Sequence, residues 1–364
     1  RKFYYFRLLF LTNKKHMIQI IGYILFTVLI LYIAKAYLDK KGHPKALFYL
    51  FFAEMWERFS YYGMRAILVL FLVSSLGDQG WGWERKDALV LYAWYTGLVY
   101  ITPIFGGIIA DKYIGYRKAV IIGAFLMTLG HASMALEVFY DYYLYIGLSF
   151  LILGNGFFKP NISSIVGQLY KDDGRIKDAA YTIFYMGINS GAFLGILLCG
   201  YIGETVNWHY GFGLAGIFMF FGMLQFHYGQ KIFGKIGLGK NRSIDEENEE
   251  NKLAPVSKKI IRDRLLVIGI FSFVTIFFWW GFEQSGGSMT IFANDYTNRD
   301  LMGTGALIFK IINTLLVVVP MIILSIILFM LFKNTFEKYM ISNLFLGASF
   351  AIIWLIVIWM LNRE

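Results

Sequence analysis

One apolar run, residues 45–76, holds Glu54, Glu57, Arg58 and Arg65 among aliphatic and aromatic neighbours. Ionised groups in hydrocarbon cost at least about 3 kcal/mol each unless they are paired or hydrated, so several on one segment point to chemistry rather than packing. On a helix Glu54 and Arg58 are spaced i,i+4, Arg58 and Tyr61 i,i+3, Arg58 and Tyr62 i,i+4, and Tyr61 and Arg65 i,i+4. That spacing gathers them on one stripe, and a polar stripe on an apolar helix implies a water-filled cavity beside it. The alternative, charges that snorkel at a membrane boundary, fits less well because Glu54 to Arg58 lie nine residues or more inside the run.

A further cation, Lys159, lies deep in the run 142–165 beside Pro160. Proline breaks or kinks a helix and frees backbone groups that tolerate burial only beside a cavity. A buried ammonium must deprotonate or find a carboxylate, and Glu54 and Glu57 are candidate partners. Glu283 mirrors them from the run 263–292, an acid among Phe278, Trp279, Trp280 and Phe282. A carboxylate in a partly dry cavity can load and release a proton near neutral pH, which makes Glu54, Glu57 and Glu283 proton-handling candidates. His131, deep in its own run, could also relay protons, though packing is the commoner fate of an isolated buried histidine. Cys199 has no partner cysteine, so no intrachain disulfide is available.

The elements that hold these residues follow from composition. Of 364 residues 58% are hydrophobic and 16% charged, against roughly 25% charged in a soluble domain. The apolar residues fall into runs of about 20, the length that crosses a ~30 Å hydrocarbon layer as helix. The candidate spans are 18–38, 45–76, 89–110, 118–137, 142–165, 179–203, 207–230, 263–292, 306–332 and 341–361. The net charge of +10 sits in short clusters between runs, as cytoplasmic loops require, and not in the basic stripe of a nucleic-acid binder. Basic segments at 111–118, 171–177 and the ends of 231–264 alternate with segments near 138–141 and 204–206 that hold no Lys or Arg. The expected organisation is all-α and polytopic: an extension with an extra hydrophobic helix at 1–44, a six-helix bundle at 45–230, a cytoplasmic linker at 231–262 and a partial second bundle of three helices at 263–364. The linker carries the acidic run 245–250 and reads as solvated. Span 18–38 is anomalous. Placed before 45–76 it leaves Arg1, Lys2, Arg7, Lys14 and Lys15 outside, against the positive-inside rule, and no small-residue cleavage pattern follows it. An accessory helix is the favoured reading.

Five motifs in order carry a resemblance. Glu54-Met55-Trp56-Glu57-Arg58-Phe59-Ser60-Tyr61-Tyr62-Gly63 resembles the E-x-x-E-R-F-x-Y-Y-G motif of the proton-dependent oligopeptide transporters, a branch of the major facilitator superfamily. Gly106-Gly107-Ile108-Ile109-Ala110-Asp111-Lys112-Tyr113-Ile114-Gly115, continuing through Ala119-Val120 to Gly130, resembles that family's loop signature. Gly154-Asn155-Gly156-Phe157-Phe158-Lys159-Pro160-Asn161 resembles its fourth-helix lysine motif. Phe184-Tyr185-Met186-Gly187-Ile188-Asn189-Ser190-Gly191 resembles its fifth-helix motif, with Ser190 where an aliphatic residue is commoner. Phe278-Trp279-Trp280-Gly281-Phe282-Glu283-Gln284 resembles the seventh. The resemblance covers about residues 43–300, and against two similar halves a count of six spans then three implies a chain lacking the last three helices.

The resemblance implies proton-coupled import of di- and tripeptides by alternating access, as a monomer in the plasma membrane (the inner membrane of a bacterium). The proton gradient replaces any cofactor. It implies a network of Glu54, Glu57, Arg58 and Lys159, with both cations at the end of the pocket that takes the peptide carboxylate; Arg can bind that group bidentately. It also implies a salt bridge between Arg65 and Glu283 that closes the extracellular side and breaks on proton uptake. Tyr61, Tyr62, Tyr100 and Asn189 would hydrogen-bond amides or termini, Trp279 would wall a side-chain pocket or serve only packing, and Asn313 would add an amide from the eighth helix. Gly107, Asp111, Gly115 and Arg117 form a turn that allows close helix approach and a capping or paired carboxylate, a conformational role unless it is only a positive-inside loop. The second-helix histidine of animal relatives falls at Ala93, so coupling rests on carboxylates. The rival readings are a same-fold transporter of another small solute and a non-transporting peptide receptor. The chain has no HExxH, GxSxG, Walker loop or Cys/His cluster to suggest an enzyme or a metal site.

Overall fold

A computed structural model of the chain describes residues 43–170, 174–239, 257–298 and 300–363. The candidate span 18–38, with the rest of 1–42, and residues 240–256 of the linker lie outside the described residues. Helices make up the fold: α1 (Lys45–Val73), α2 (Arg85–Ile109), α3 (Tyr116–Ala135), α4 (Tyr142–Gln168), α5 (Gly174–Thr205), α6 (Trp208–Gly229), α7 (Lys258–Glu283), α8 (Ser288–Tyr296), α9 (Gly303–Thr335) and α10 (Met340–Arg363). Each expected span from 45–76 onward therefore falls on a helix. One needs correction: 263–292 is not a single helix, because a tight turn at Gln284–Gly286 separates α7 from α8. Gly286 meets Tyr92 and Arg65 there, and a Cβ would collide with the Tyr92 hydroxyl.

Among the described residues, seven helical stretches are long and apolar enough to cross a membrane. Of the helices with at least 18 residues, α1 and α4 are not among them. These two carry Glu54, Glu57, Arg58, Arg65 and Lys159, and the bundle shields them instead of lipid. Every residue of α1 is buried except Lys45, Phe48, Tyr62, Ala66 and Val73, as expected of a helix enclosed all round.

Close packing fixes α1. Gly187, Gly191 and Gly195 recur every four residues on α5, and a Cβ at any of them would run into the backbone oxygens of Phe51, Met55 and Phe59. Small residues at this spacing let two helix backbones touch, which is how helices associate without a hydrophobic driving force. On another side Trp56 stacks on Phe218 of α6 at 4.9 Å. Further round, α10 docks: Tyr49 Oη donates to Asn343 Oδ1 at 2.9 Å and Phe350 meets Trp56 edge-on at 5.5 Å. At about 100° per residue, Tyr49, Phe52 and Trp56 lie on the side of α1 opposite Glu54, Arg58, Tyr61 and Arg65. The contacts of α10 with α1 are thus on the back of the charged helix.

Of the break or kink that the sequence predicts at Pro160, the break does not occur: α4 runs through it as one helix. The missing N–H leaves the Gly156 carbonyl without its intrahelical donor, and Gly106 of α2 packs against that carbonyl at a place where a Cβ would collide.

Candidate functional site

The charged stripe of α1 is a compact cluster. Arg58 Nε donates to Glu54 Oε1 at 2.9 Å and stands 2.5 Å from Glu57 Oε2. Asn155 Nδ2, from α4, donates to Glu57 Oε1 at 3.1 Å. All four residues are buried. Several of their polar atoms have no hydrogen-bond partner within the protein: Glu54 Oε2, one Arg58 Nη and Asn155 Oδ1, together with the nearby Tyr95 hydroxyl. Buried polar atoms without protein partners are costly unless water or a ligand satisfies them, so the cluster is built to be completed by something other than side chains.

Lys159 departs from expectation. Its ammonium lies 5.1 Å from the ring centre of Tyr100, a cation–π contact, and it forms none of the ion pairs found within 4 Å among the described residues. Arg58 explains this. It sits on the same helix one turn from Glu54 and next to Glu57, so it takes both carboxylates, while Lys159 reaches in from α4.

A second cluster joins α1, α2 and α7. Arg65 Nη2 donates to Glu283 Oε2 at 2.5 Å, and Arg65 Nε donates to the Tyr92 hydroxyl. Tyr92 approaches Glu283 Oε2 at 3.5 Å and Tyr100 donates to Glu283 Oε1 at 3.2 Å. The Tyr100 and Trp279 rings lie 5.7 Å apart. Tyr100 therefore faces Lys159 with its ring and Glu283 with its hydroxyl, and links the two clusters. A cavity of about 1480 Å³ opens between α2 and α7, walled by Tyr92, Tyr100, Trp279 and Glu283 among others. Nearer the helix ends opposite the basic loops, Arg85 pairs with Asp295 of α8 at 2.5 Å.

Two glutamates thus share one arginine, a lysine lies nearby and a second arginine is bound across to α7. A family model described as PTR2, the POT family, matches residues 117–257. The peptide transporter YePEPT of Yersinia enterocolitica subsp. palearctica is 35% identical over 318 residues, covering 72% of this chain and 62% of the relative. A di-/tripeptide transporter of Lactococcus lactis subsp. lactis is 39% identical over 233 residues, covering 63% of this chain and 46% of the relative. Among solved structures, a mutant of the peptide transporter POT in complex with alafosfalin is 41% identical with a TM-score of 0.52, covering 65% of this chain and 47% of that one. The chain belongs to the POT family. It has the helical membrane fold of these transporters, which are not enzymes, and spans 62% and 46% of the length of the two curated relatives.

The remaining sequence-predicted POT residues are placed as follows. Tyr61 is buried and Tyr62 half-buried on the charged side of α1, with Arg58 5.6 Å from the Tyr61 ring and Arg65 5.8 Å from the Tyr62 ring. Asn189 is exposed on α5 and donates to its own helix at Tyr185 O. Asn313 is half-buried on α9, whose buried residues, Val317 to Thr335, lie further along the helix. Gly107 lies at the end of α2, and Asp111 is exposed in the wide turn Ala110–Ile114 that follows. Gly115 adopts φ +78°, a conformation side chains rarely take. Arg117 binds the chain after α6: its Nη2 donates to Gly234 O at 2.7 Å, its backbone N–H to Gly237 O at 3.0 Å, and it covers Phe233. His131 is fully buried in α3 against α6. Sequence reasoning missed Tyr92 and Asn155 as site residues. Both had a signal: Asn155 precedes Lys159 by four residues and Tyr92 precedes Tyr100 by eight, so each shares a helix face with a residue already chosen.

Proposed function

We propose that the chain acts as a proton-coupled symporter that imports di- and tripeptides by alternating access, as a monomer in the plasma membrane (the inner membrane of a bacterium), driven by the proton gradient with no cofactor. The observation that carries this reading is the pair of clusters joined through Tyr100: carboxylates and cations on one face of α1, and the Arg65–Glu283 contact to α7. In this reading Arg58 and Lys159 receive the peptide carboxylate, and Tyr61, Tyr62, Tyr100, Asn189 and Trp279 line its path. Glu54, Glu57 and Glu283 handle protons. A proton on Glu283 removes its charge and with it the ion pair that holds α7 to α1, which frees the extracellular side to open; Asp111 and Arg117 bias the opposite side. One elementary charge moved through 100 mV contributes ~2.3 kcal/mol to accumulation.

Fixed contacts to charged termini and loose space for side chains suit a carrier of many peptides, because the termini are what its substrates share. The nearest rival cargo has the same two charges: a POT-family structure 36% identical to this chain holds 5-aminolevulinic acid, a small amine with a carboxylate. The deciding experiment is uptake of labelled dialanine by the full-length protein in proteoliposomes with an imposed inward proton gradient. Concentrative uptake that unlabelled dipeptides suppress more strongly than 5-aminolevulinic acid supports the reading. Binding without accumulation leaves a receptor, and no uptake by the folded protein overturns the transport proposal.

A further inference from the structure

α4 presents two polar side chains one turn apart to the charged face of α1: Lys159, which the proposed mechanism uses, and Asn155, which it does not. Asn155 is 1% exposed. Its Nδ2 donates to Glu57 Oε1 at 3.1 Å, and its Oδ1 is buried without a hydrogen-bond partner in the protein. Glu57 is wholly buried. The charged and titratable groups that face it are Glu54 and Arg58 from α1, Lys159 from α4 and Tyr95 from α2. α5 and α6 carry their charged and titratable residues other than tyrosine and Cys199 towards their ends, at Arg175, Lys177, Asp178 and Glu204 and at His209 and His227. Asn155 is neutral, can both donate and accept a hydrogen bond, and is bonded to the Glu57 carboxylate directly, whereas the Tyr95 hydroxyl, the other neutral group there, has no hydrogen-bond partner in the protein.

A carboxyl that gains and loses a proton in a buried place has a bonding problem. As a carboxylate it only accepts; as an acid it must also donate its O–H, and a buried group left unsatisfied in either state is penalised. A side-chain amide meets both needs, since its N–H₂ and C=O ends have nearly the same shape and a half-turn exchanges them. We propose that Asn155 is a positioning residue for Glu57 that serves both protonation states: Nδ2 donates to the carboxylate, and after the amide turns Oδ1 accepts the proton of the acid. The orphaned Oδ1 is the half of the amide that the charged form leaves idle. The inference rests on the symport reading and assigns how Glu57 carries its proton within it.

The test uses the full-length protein in proteoliposomes, wild type beside Asn155→Leu, which keeps the bulk and removes both bonding functions, and Asn155→Ser, which is shorter but donates and accepts. Gradient-driven uptake of labelled dialanine and dialanine counterflow are measured on the same vesicles. For Asn155→Leu the ratio of driven uptake to counterflow falls about tenfold. The falling limb of its pH profile moves about one unit towards higher pH, because a carboxylate that has lost an N–H donor keeps its proton to higher pH. Asn155→Ser recovers at least about half of the ratio and most of the pH shift. Wild-type ratio and profile in Asn155→Leu overturn the inference. So does an equal loss of driven uptake and counterflow with an unmoved pH profile, which marks a structural residue. Absence of both activities from the wild type overturns the symport reading itself, and that outcome is separate from the other two.

Discussion

The first and seventh helices both carry charge into the membrane, and they are held in opposite ways. α1 is enclosed almost completely, with α5 in backbone contact, α6 stacked on its aromatic side and α10 behind it. α7 has no buried residue among those described and joins α1 and α2 at its end, through Glu283 with Trp279 beside it. The charges of α1 therefore sit on a fixed scaffold, and its ion pairs are defined by that scaffold. The charge of α7 is the attachment. In the proposed mechanism a proton taken up at Glu54 or Glu57 would alter the inside of the α1 scaffold, whereas one taken up at Glu283 would alter how α7 meets it.

The contrast breaks most completely at the α1–α5 contact. Gly191→Leu drives a side chain into the Met55 carbonyl, and no monodisperse protein is expected on size-exclusion chromatography in detergent. Next in size is a matched pair of truncations. Phe218→Ala removes a ring stacked on Trp56 and 4.6 Å from Phe59 and should destabilise by about 3–5 kcal/mol. Phe273→Ala, on exposed α7, should cost under about 0.5 kcal/mol; comparable shifts in thermal unfolding would abolish the distinction. Glu57→Gln keeps the shape of a buried, paired carboxylate and removes its proton chemistry, so gradient-driven accumulation should drop about a hundredfold while binding of dialanine persists. The smallest effect belongs to the attachment. Glu283→Gln loses the ion pair but keeps neutral contacts with Tyr100 and Tyr92, and should lower driven uptake about tenfold while raising labelling of a cysteine placed at Trp279 from the extracellular side.

The charged stripe was legible because charges are conspicuous in an apolar run and because a helical period groups them without further information. The nine spans from 45–76 onward were legible for the same reason, and the Gly286-Gly287 pair that splits one of them could have been read as a break. The partner of Lys159 was not legible. Sequence spacing places the lysine near the glutamates but does not show that Arg58, on their own helix, outcompetes it. The Arg65–Glu283 contact spans two distant segments and came only from the family resemblance. Arg117 was expected only as part of the turn that holds Asp111; its partners, backbone carbonyls of the chain after α6, were not foreseen, because carbonyls leave no mark in a sequence. The docking of α10 behind α1 depends on one tyrosine meeting one asparagine far along the chain, which no local pattern encodes.

The glycines of α5 also set a mechanical property. Two helices in backbone contact along three successive turns behave as one laminated beam, stiffer than either helix alone, because neither can slide or bow without driving carbonyl oxygens into the facing backbone. Such a beam does not flex to admit a proton. A displacement of side-chain size at Arg65 would then tilt the helix pair as a whole rather than bend α1 alone.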